Sequence, residues 1–218
     1  MPRSATAAGR IRVMTLLTVM GLVAGCGGSD SSPAETALPA MSDQVVANEV
    51  LTTTSTTAAP VTTMAPPPIL REKAPPLVEV DGWLASDVTS LEELEGQVVV
   101  VEFWTFGCYN CKNRIPYTQD LYAKYRDQGL EIVGIHSPEF AYEREVNAIE
   151  AAMENLGVTW PVVLDTKRRT FREWQGSPAY WPRTYVLDRQ GRVRFDHIGE
   201  GAYQELDRIV GYLLIESG

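Results

Sequence analysis

The chain lacks the equipment for several common jobs. Its 218 residues hold three cysteines and two histidines. Three cysteines do not make the disulfide framework of a small stapled domain. A structural zinc site takes four ligands; with a single Cys-x-x-Cys and no second one, only His136 and His197 remain to complete it, which argues against zinc. Basic residues number 19 against 28 acidic ones, for a net charge of −9, and they form no stripe or cluster. That balance argues against nucleic acid as a partner. The apolar run from Val13 to Ala24 is too short to cross a bilayer as a stable helix. No internal repeat is visible.

What is present divides the chain in three. Arg3, Arg10 and Arg12 precede the short apolar run, the order of a secretory signal. Leu22-Val-Ala-Gly-Cys26 then resembles the bacterial lipobox. The resemblance implies cleavage before Cys26 and a lipid on its sulfur, which would anchor the exported protein to the outer face of the cell membrane. Residues 27 to 75 are rich in Ser, Thr, Ala and Pro, as in Thr52-Thr-Thr-Ser-Thr-Thr-Ala-Ala-Pro60. With few large apolar residues to offset ordering entropy, this stretch is expected to be a disordered tether. The reading is therefore a signal over 1–25, a tether over 26–75 and a folded domain over 76–218. Five basic and five acidic residues precede position 76, so the domain holds 14 basic against 23 acidic and carries the whole −9. A hydrophobic fraction of 44%, with five Trp, nine Tyr and five Phe, allows a core without staples.

The domain is organised around Val98 to Pro116. Val98 to Val101 is a β-branched run that suits a central strand covered on both faces. Gly107 allows a turn, and Cys108-Tyr-Asn-Cys111 opens a helix expected to run to Gln128. The pattern predicts a hairpin over Leu77–Ala85, a strand at Leu130–Ile135, a helix over Glu143–Asn155 and a strand at Trp160–Leu164. A short helix at Arg168–Trp174, a hairpin over Arg183–Asp196 and a last helix with Leu206, Ile209, Val210, Leu213 and Leu214 on one face complete it. Strands alternating with helices, then an antiparallel hairpin and a helix, describe an α/β fold with a central mixed sheet.

Cys-x-x-Cys at a strand–helix junction has a chemical reason for its spacing. Cys108 meets unpaired N–H groups and the positive end of the helix dipole, which favour a thiolate. Cys111, one turn inside, is placed to attack a mixed disulfide on Cys108. A static disulfide at this spacing would staple very little chain.

These residues resemble the thioredoxin family. Glu102 falls on its buried acid, Pro116 on its helix-kinking proline and Pro182 on its cis-proline. Phe103 to Cys111, Val133-Gly-Ile-His-Ser-Pro-Glu-Phe140, Tyr180-Trp-Pro182 and Gly199-Glu-Gly-Ala-Tyr203 look like the thioredoxin-like domain of DipZ proteins, near the TlpA and redoxin branch. The resemblance covers residues 75 to 218. It implies that Cys108 is the exchanging sulfur and Cys111 the resolving one. It also implies that Glu102, raised by desolvation, accepts the Cys111 proton, and that cis Pro182 with Trp181 presents an edge to an extended substrate. Phe106 and Tyr109 are expected to join a substrate-binding aromatic rim, with Trp104 either there or in the core. His136 and Glu139, at a strand end where such sheets build sites, are candidates for tuning the thiolate. TlpA-like reductases often carry an acid where this chain has Arg114, so that tuning is missing. No metal or organic cofactor is implied; the Cys108–Cys111 pair carries the redox chemistry.

The function expected is a membrane-anchored, extracytoplasmic thiol–disulfide oxidoreductase, more in the reductive than the oxidative direction. Its partners would be exported thiol or disulfide proteins and a CcdA- or DsbD-like membrane electron donor. Two rivals stand beside it. A peroxiredoxin-like peroxidase needs Pro-x-x-x-Thr-x-x-Cys, and no such proline precedes Cys108. A binding lipoprotein on the same fold would not need Cys108 at all.

Overall fold

A computed structural model describes residues 65–216. The expected signal segment, Cys26 and the expected tether as far as residue 64 lie outside the described residues.

Six strands form one sheet in the order β1-β4-β3-β2-β5-β6. They are β1 (Gly82–Leu84), β2 (Val98–Trp104), β3 (Leu130–His136), β4 (Val162–Leu164), β5 (Arg183–Leu187) and β6 (Val193–Ile198). β2, β3 and β4 run parallel, while β5 pairs antiparallel with β2 and β6 with β5. The helices are α1 (Tyr109–Tyr125), α2 (Val146–Leu156), α3 (Arg169–Gln175) and α4 (Tyr203–Ile215). This is the thioredoxin-like α/β arrangement, with α2 as the inserted helix.

β2 is central because every residue in it is buried. Its side chains alternate between two cores, as a strand requires. Val98 and Val100 face one core with Ile115, Leu121, Leu206 and Val210; Val99, Val101 and Phe103 face another with Phe171, Trp174 and Tyr185. Burying each of these valines stabilises the fold by about 1.5 kcal/mol or more. The same alternation turns Glu102 toward the face that α1 covers, which decides where the acid sits.

Four sequence expectations change. Leu77–Ala85 is not a hairpin: Gly82–Leu84 pairs antiparallel with Val162–Leu164 on the sheet edge, and among the described residues no strand forms before it. The pairing partner β4 is distant in sequence, so local turn residues did not reveal it. The first core helix ends in an α-helix at Tyr125, and Arg126–Gln128 tightens into a 3-10 turn before Gly129 at φ 99°. The helix expected from Glu143 begins at Val146, after a 3-10 turn over Ala141–Arg144. Finally, ordered chain starts before residue 76. Leu70 N–H donates to the Val193 carbonyl at 2.8 Å and Ala74 N–H to the Gly191 carbonyl at 2.9 Å. The buried Arg194 guanidinium holds the Pro67 carbonyl at 2.7 Å. Residues 67–74 thus pair with the start of β6 at Val193, an edge strand with backbone groups to satisfy, so the folded body reaches back at least to Pro67.

Candidate active site

The parallel strand β2 delivers the chain to the start of α1, and Cys108 caps that helix. Its Sγ accepts the Cys111 N–H at 3.2 Å, and its own N–H donates to the Thr105 carbonyl at 3.2 Å. Both cysteines are free thiols, Cys108 half-buried and Cys111 buried. The two differ sharply in acidity. A hydrogen bond from the Cys111 side chain, helped by the backbone N–H groups of Cys111 and Asn110, brings Cys108 down to about 7, against burial and the charge of Glu139. Burial first, then the hydrogen bond to Cys108 and the charge there, push Cys111 far up. A half-ionised outer sulfur beside a protonated inner one is what ordered thiol–disulfide exchange requires.

Glu102 lies beneath the pair, close enough that its charge adds to the upward push on Cys111. The family resemblance implies a buried, desolvated acid here. It is buried, but the equally buried Arg114 guanidinium forms an ion pair with it and Thr118 Oγ1 donates to both its oxygens at 3.0 Å. Cys111, Arg114 and Thr118 recur at helical spacing on the inner face of α1, which is why these three meet the strand. Arg114 also donates to the Gly201 carbonyl at 3.3 Å and lies over the Tyr203 ring, tying α1 to the start of α4.

A cleft of about 360 Å³ opens beside Cys108, lined by Gly107, Tyr109, Asn110, Glu139, Ala179, Tyr180 and Trp181. Of the expected rim, Tyr109 is exposed and Trp181 lines the cleft, its Nε1 donating to the Ser137 carbonyl at 2.9 Å and its ring stacked on Phe171. The Trp181–Pro182 peptide is cis and Pro182 is buried directly after the rim. Phe106 is not among the residues that line this cleft and stacks on His136. Trp104 is core, edge-on to the same histidine.

The two tuning candidates separate. Glu139 borders the cleft and its charge holds Cys108 up. His136 is wholly buried, and burial pushes it down to about 4. It is therefore neutral at pH 7, with Nε2 3.3 Å from Thr105 Oγ1, and offers no positive charge to a thiolate. Its part is packing beneath Thr105 and Phe106.

Sequence reasoning missed Glu143. This fully buried carboxylate accepts the Gly107 N–H at 2.9 Å, the Glu139 N–H at 2.6 Å and the Phe140 N–H at 2.8 Å. Gly107 is needed for space as much as for a turn: a Cβ there would collide with Glu143 Oε1 and lie 2.6 Å from Tyr142 Oη. Tyr180, 42% exposed on the cleft wall, was also passed over as a rim residue.

Residues 71–196 match the AhpC/TSA family. The chain belongs to that family. It is 35% identical over 144 residues to the protein DipZ of Mycobacterium tuberculosis (strain CDC 1551 / Oshkosh), a match that spans 65% of this chain and 20% of DipZ. The chain thus corresponds to about a fifth of that relative's length. The thiol-disulfide oxidoreductase YkuV of Bacillus subtilis (strain 168) is 26% identical over 148 residues, covering 68% of this chain and 98% of YkuV. Among solved structures, a thiol-disulfide isomerase from Corynebacterium glutamicum superposes with a TM-score of 0.56 at 27% identity, covering 66% of this chain and 98% of that one.

Proposed function

We propose that this AhpC/TSA-family protein is a thiol–disulfide oxidoreductase of the TlpA and ResA kind, held outside the cytoplasmic membrane by a lipid on Cys26 and working in the reductive direction. The observation that carries the exchange reading is the asymmetry of the pair, with Cys108 near 7 and reachable and Cys111 buried and protonated.

The Cys108 thiolate attacks one sulfur of a substrate disulfide in the cleft. That S–S bond breaks, a mixed disulfide forms on Cys108, and the first substrate thiolate leaves and takes a proton from solvent. Cys111 then gives up its proton and attacks Cys108 Sγ, which breaks the mixed disulfide; the second substrate thiolate leaves and, like the first, takes a proton from solvent. The Glu102 carboxylate beneath Cys111 is the acceptor for the Cys111 proton. The substrate gains two electrons and two protons, and the protein keeps a Cys108–Cys111 disulfide. A CcdA- or DsbD-like membrane dithiol would return those electrons. A Cys108 thiol near 7 matches the value of reducing thioredoxins and stands far above the roughly 3.5 of a strong disulfide-forming oxidant, which supports the reductive direction.

Equilibration of the protein in glutathione buffers tests this. A low, reducing midpoint is expected; one at the strongly oxidising end would reverse the direction. Cys111→Ser should trap substrates as mixed disulfides on Cys108, and Cys108→Ser should trap none. Membership of the AhpC/TSA family gives the peroxidase reading its one support. Peroxide turnover that survives Cys111→Ser would establish that reading instead. Radiolabelled palmitate incorporated by the intact protein and lost in Cys26→Ser tests the anchor.

A further inference from the structure

Glu143 is a buried acid that the exchange steps leave unused. It lies between β3 and α2, 36 residues from Gly107 in sequence. A desolvated carboxylate is costly unless hydrogen bonds replace its water, and here backbone N–H groups do so. The division of those bonds is informative. One oxygen accepts from Gly107, the residue before Cys108, and the other from Glu139 and Phe140 at the head of the inserted segment. The carboxylate is therefore a rivet between the cysteine-bearing turn and the inserted segment, and the missing Cβ at Gly107 leaves the room it occupies.

We propose that Glu143 is a positioning residue for the exchange reaction: by joining the Gly107 N–H to the 139–140 backbone it fixes the turn that presents Cys108 and sets Glu139 across the cleft from it. The inference rests on the exchange reading. The bonds that favour the Cys108 thiolate come from Cys111 and Asn110 on the first turn of α1, so they persist only while the turn entering that helix is held. Other charged or titratable groups in the neighbourhood are Glu139 on the cleft, Tyr142 with its hydroxyl beside Gly107, His136 beneath Phe106, which feels the Glu143 charge, and Cys111 with Glu102 beneath it.

Two variants separate position from charge. Glu143→Gln keeps the shape, loses the charge and turns an NH2 toward at least one N–H donor. Glu143→Asp keeps the charge but is one methylene too short to reach both partners. Iodoacetamide alkylation of Cys108 is followed against pH, with melting monitored beside it. Positioning predicts that both variants raise the alkylation midpoint. A rise of one unit from about 7 would cut the rate at pH 7 by about fivefold, from half ionised to roughly a tenth. A midpoint lowered by Glu143→Gln and unmoved by Glu143→Asp would mean a charge effect and overturn the proposal. Lowered melting with an unmoved midpoint in both would mean a purely structural role and overturn it too. In the unmutated protein the Gly107 amide should exchange with solvent at least about 100-fold more slowly than an unprotected amide; exchange at the unprotected rate refutes the bond even if neither variant folds. Alkylation needs no redox partner. Failure to reduce insulin disulfides would therefore sink the exchange reading and leave the Glu143 result legible.

Discussion

Replacing Arg114 by Met tests the ion pair beneath the cysteines. Arg114 and Glu102 have side chains only 2% and 7% exposed, so water cannot take over when one partner is removed. The variant leaves Glu102 with Thr118 as its remaining side-chain donor. Stripping one member of a buried pair costs about 3–5 kcal/mol, because the other charge stays desolvated. For a domain of this size that is a fall of roughly 10–15 °C in melting temperature. Arg114→Met also loses the Gly201 hydrogen bond and the Tyr203 contact, so the single variant does not isolate the pair. The double variant Glu102→Gln/Arg114→Met loses those contacts equally but has no orphaned charge. It should recover most of the deficit, and a urea-unfolding cycle over the four proteins should give a coupling of about 2 kcal/mol or more. A coupling below about 0.5 kcal/mol would refute the reasoning, since the two groups would then be solvated independently.

Two further predictions concern the outer cysteine. Cys108 has its thiolate favoured from an ordinary 9.0 down to about 7, so its alkylation should rise through a midpoint near pH 7 and fall as the solution is acidified below it. At pH 7 about half would be ionised against about 1% of an unperturbed thiol, a difference of about 50-fold; a midpoint at 8.5 or above in a Cys111-intact protein contradicts the hydrogen-bonded geometry. Gly107→Ala should expel the Glu143 carboxylate from its three N–H groups and raise the same midpoint, read by the same alkylation profile; an unchanged profile would show that the turn tolerates a Cβ.

Legibility in the sequence followed the range of the interactions. The β-branched run at Val98–Val101, the stripe on α4 and the Cys-x-x-Cys at a helix start are local patterns, and each stands where it was read. Pro182 was legible through its neighbours Tyr180 and Trp181 as a motif, and its peptide is cis. Arg114 was legible in principle. Cys111, Arg114 and Thr118 share a helix face, and Glu102 lies on the strand face that α1 covers, so the pair follows from two periodicities taken together. Reading position 114 only as a missing acid hid this. His136 was placed correctly at the end of β3, but a buried and an exposed histidine look alike in sequence, and burial decides its charge. Two of the N–H groups on Glu143 are local, from Glu139 and Phe140, but the bond that ties it to the cysteine turn comes from Gly107, 36 residues away, and left no local signal. The β1–β4 pairing failed for the same reason.

In the proposed exchange the two buried carboxylates lie by different sulfurs, and the electrostatics of the sulfurs themselves set the order of the chemistry. Glu143, satisfied by N–H dipoles, adjoins the turn before Cys108; Glu102, satisfied by a cation and a hydroxyl, lies beneath Cys111. Cys108 is ready near pH 7 because N–H and S–H donors converge on it. Cys111 is held protonated by burial, by its hydrogen bond to Cys108 and by the charge on Cys108. A mixed disulfide on Cys108 makes that sulfur neutral. It removes the negative charge and weakens the hydrogen bond, leaving burial and the smaller push from Glu102. The inner thiol therefore becomes easier to ionise only after the outer one has captured a substrate. An inner thiolate that formed earlier would have nothing to attack, and would repel the outer one. In the proposed exchange, resolution is thus gated by capture, through an electrostatic link that runs between neighbouring sulfurs.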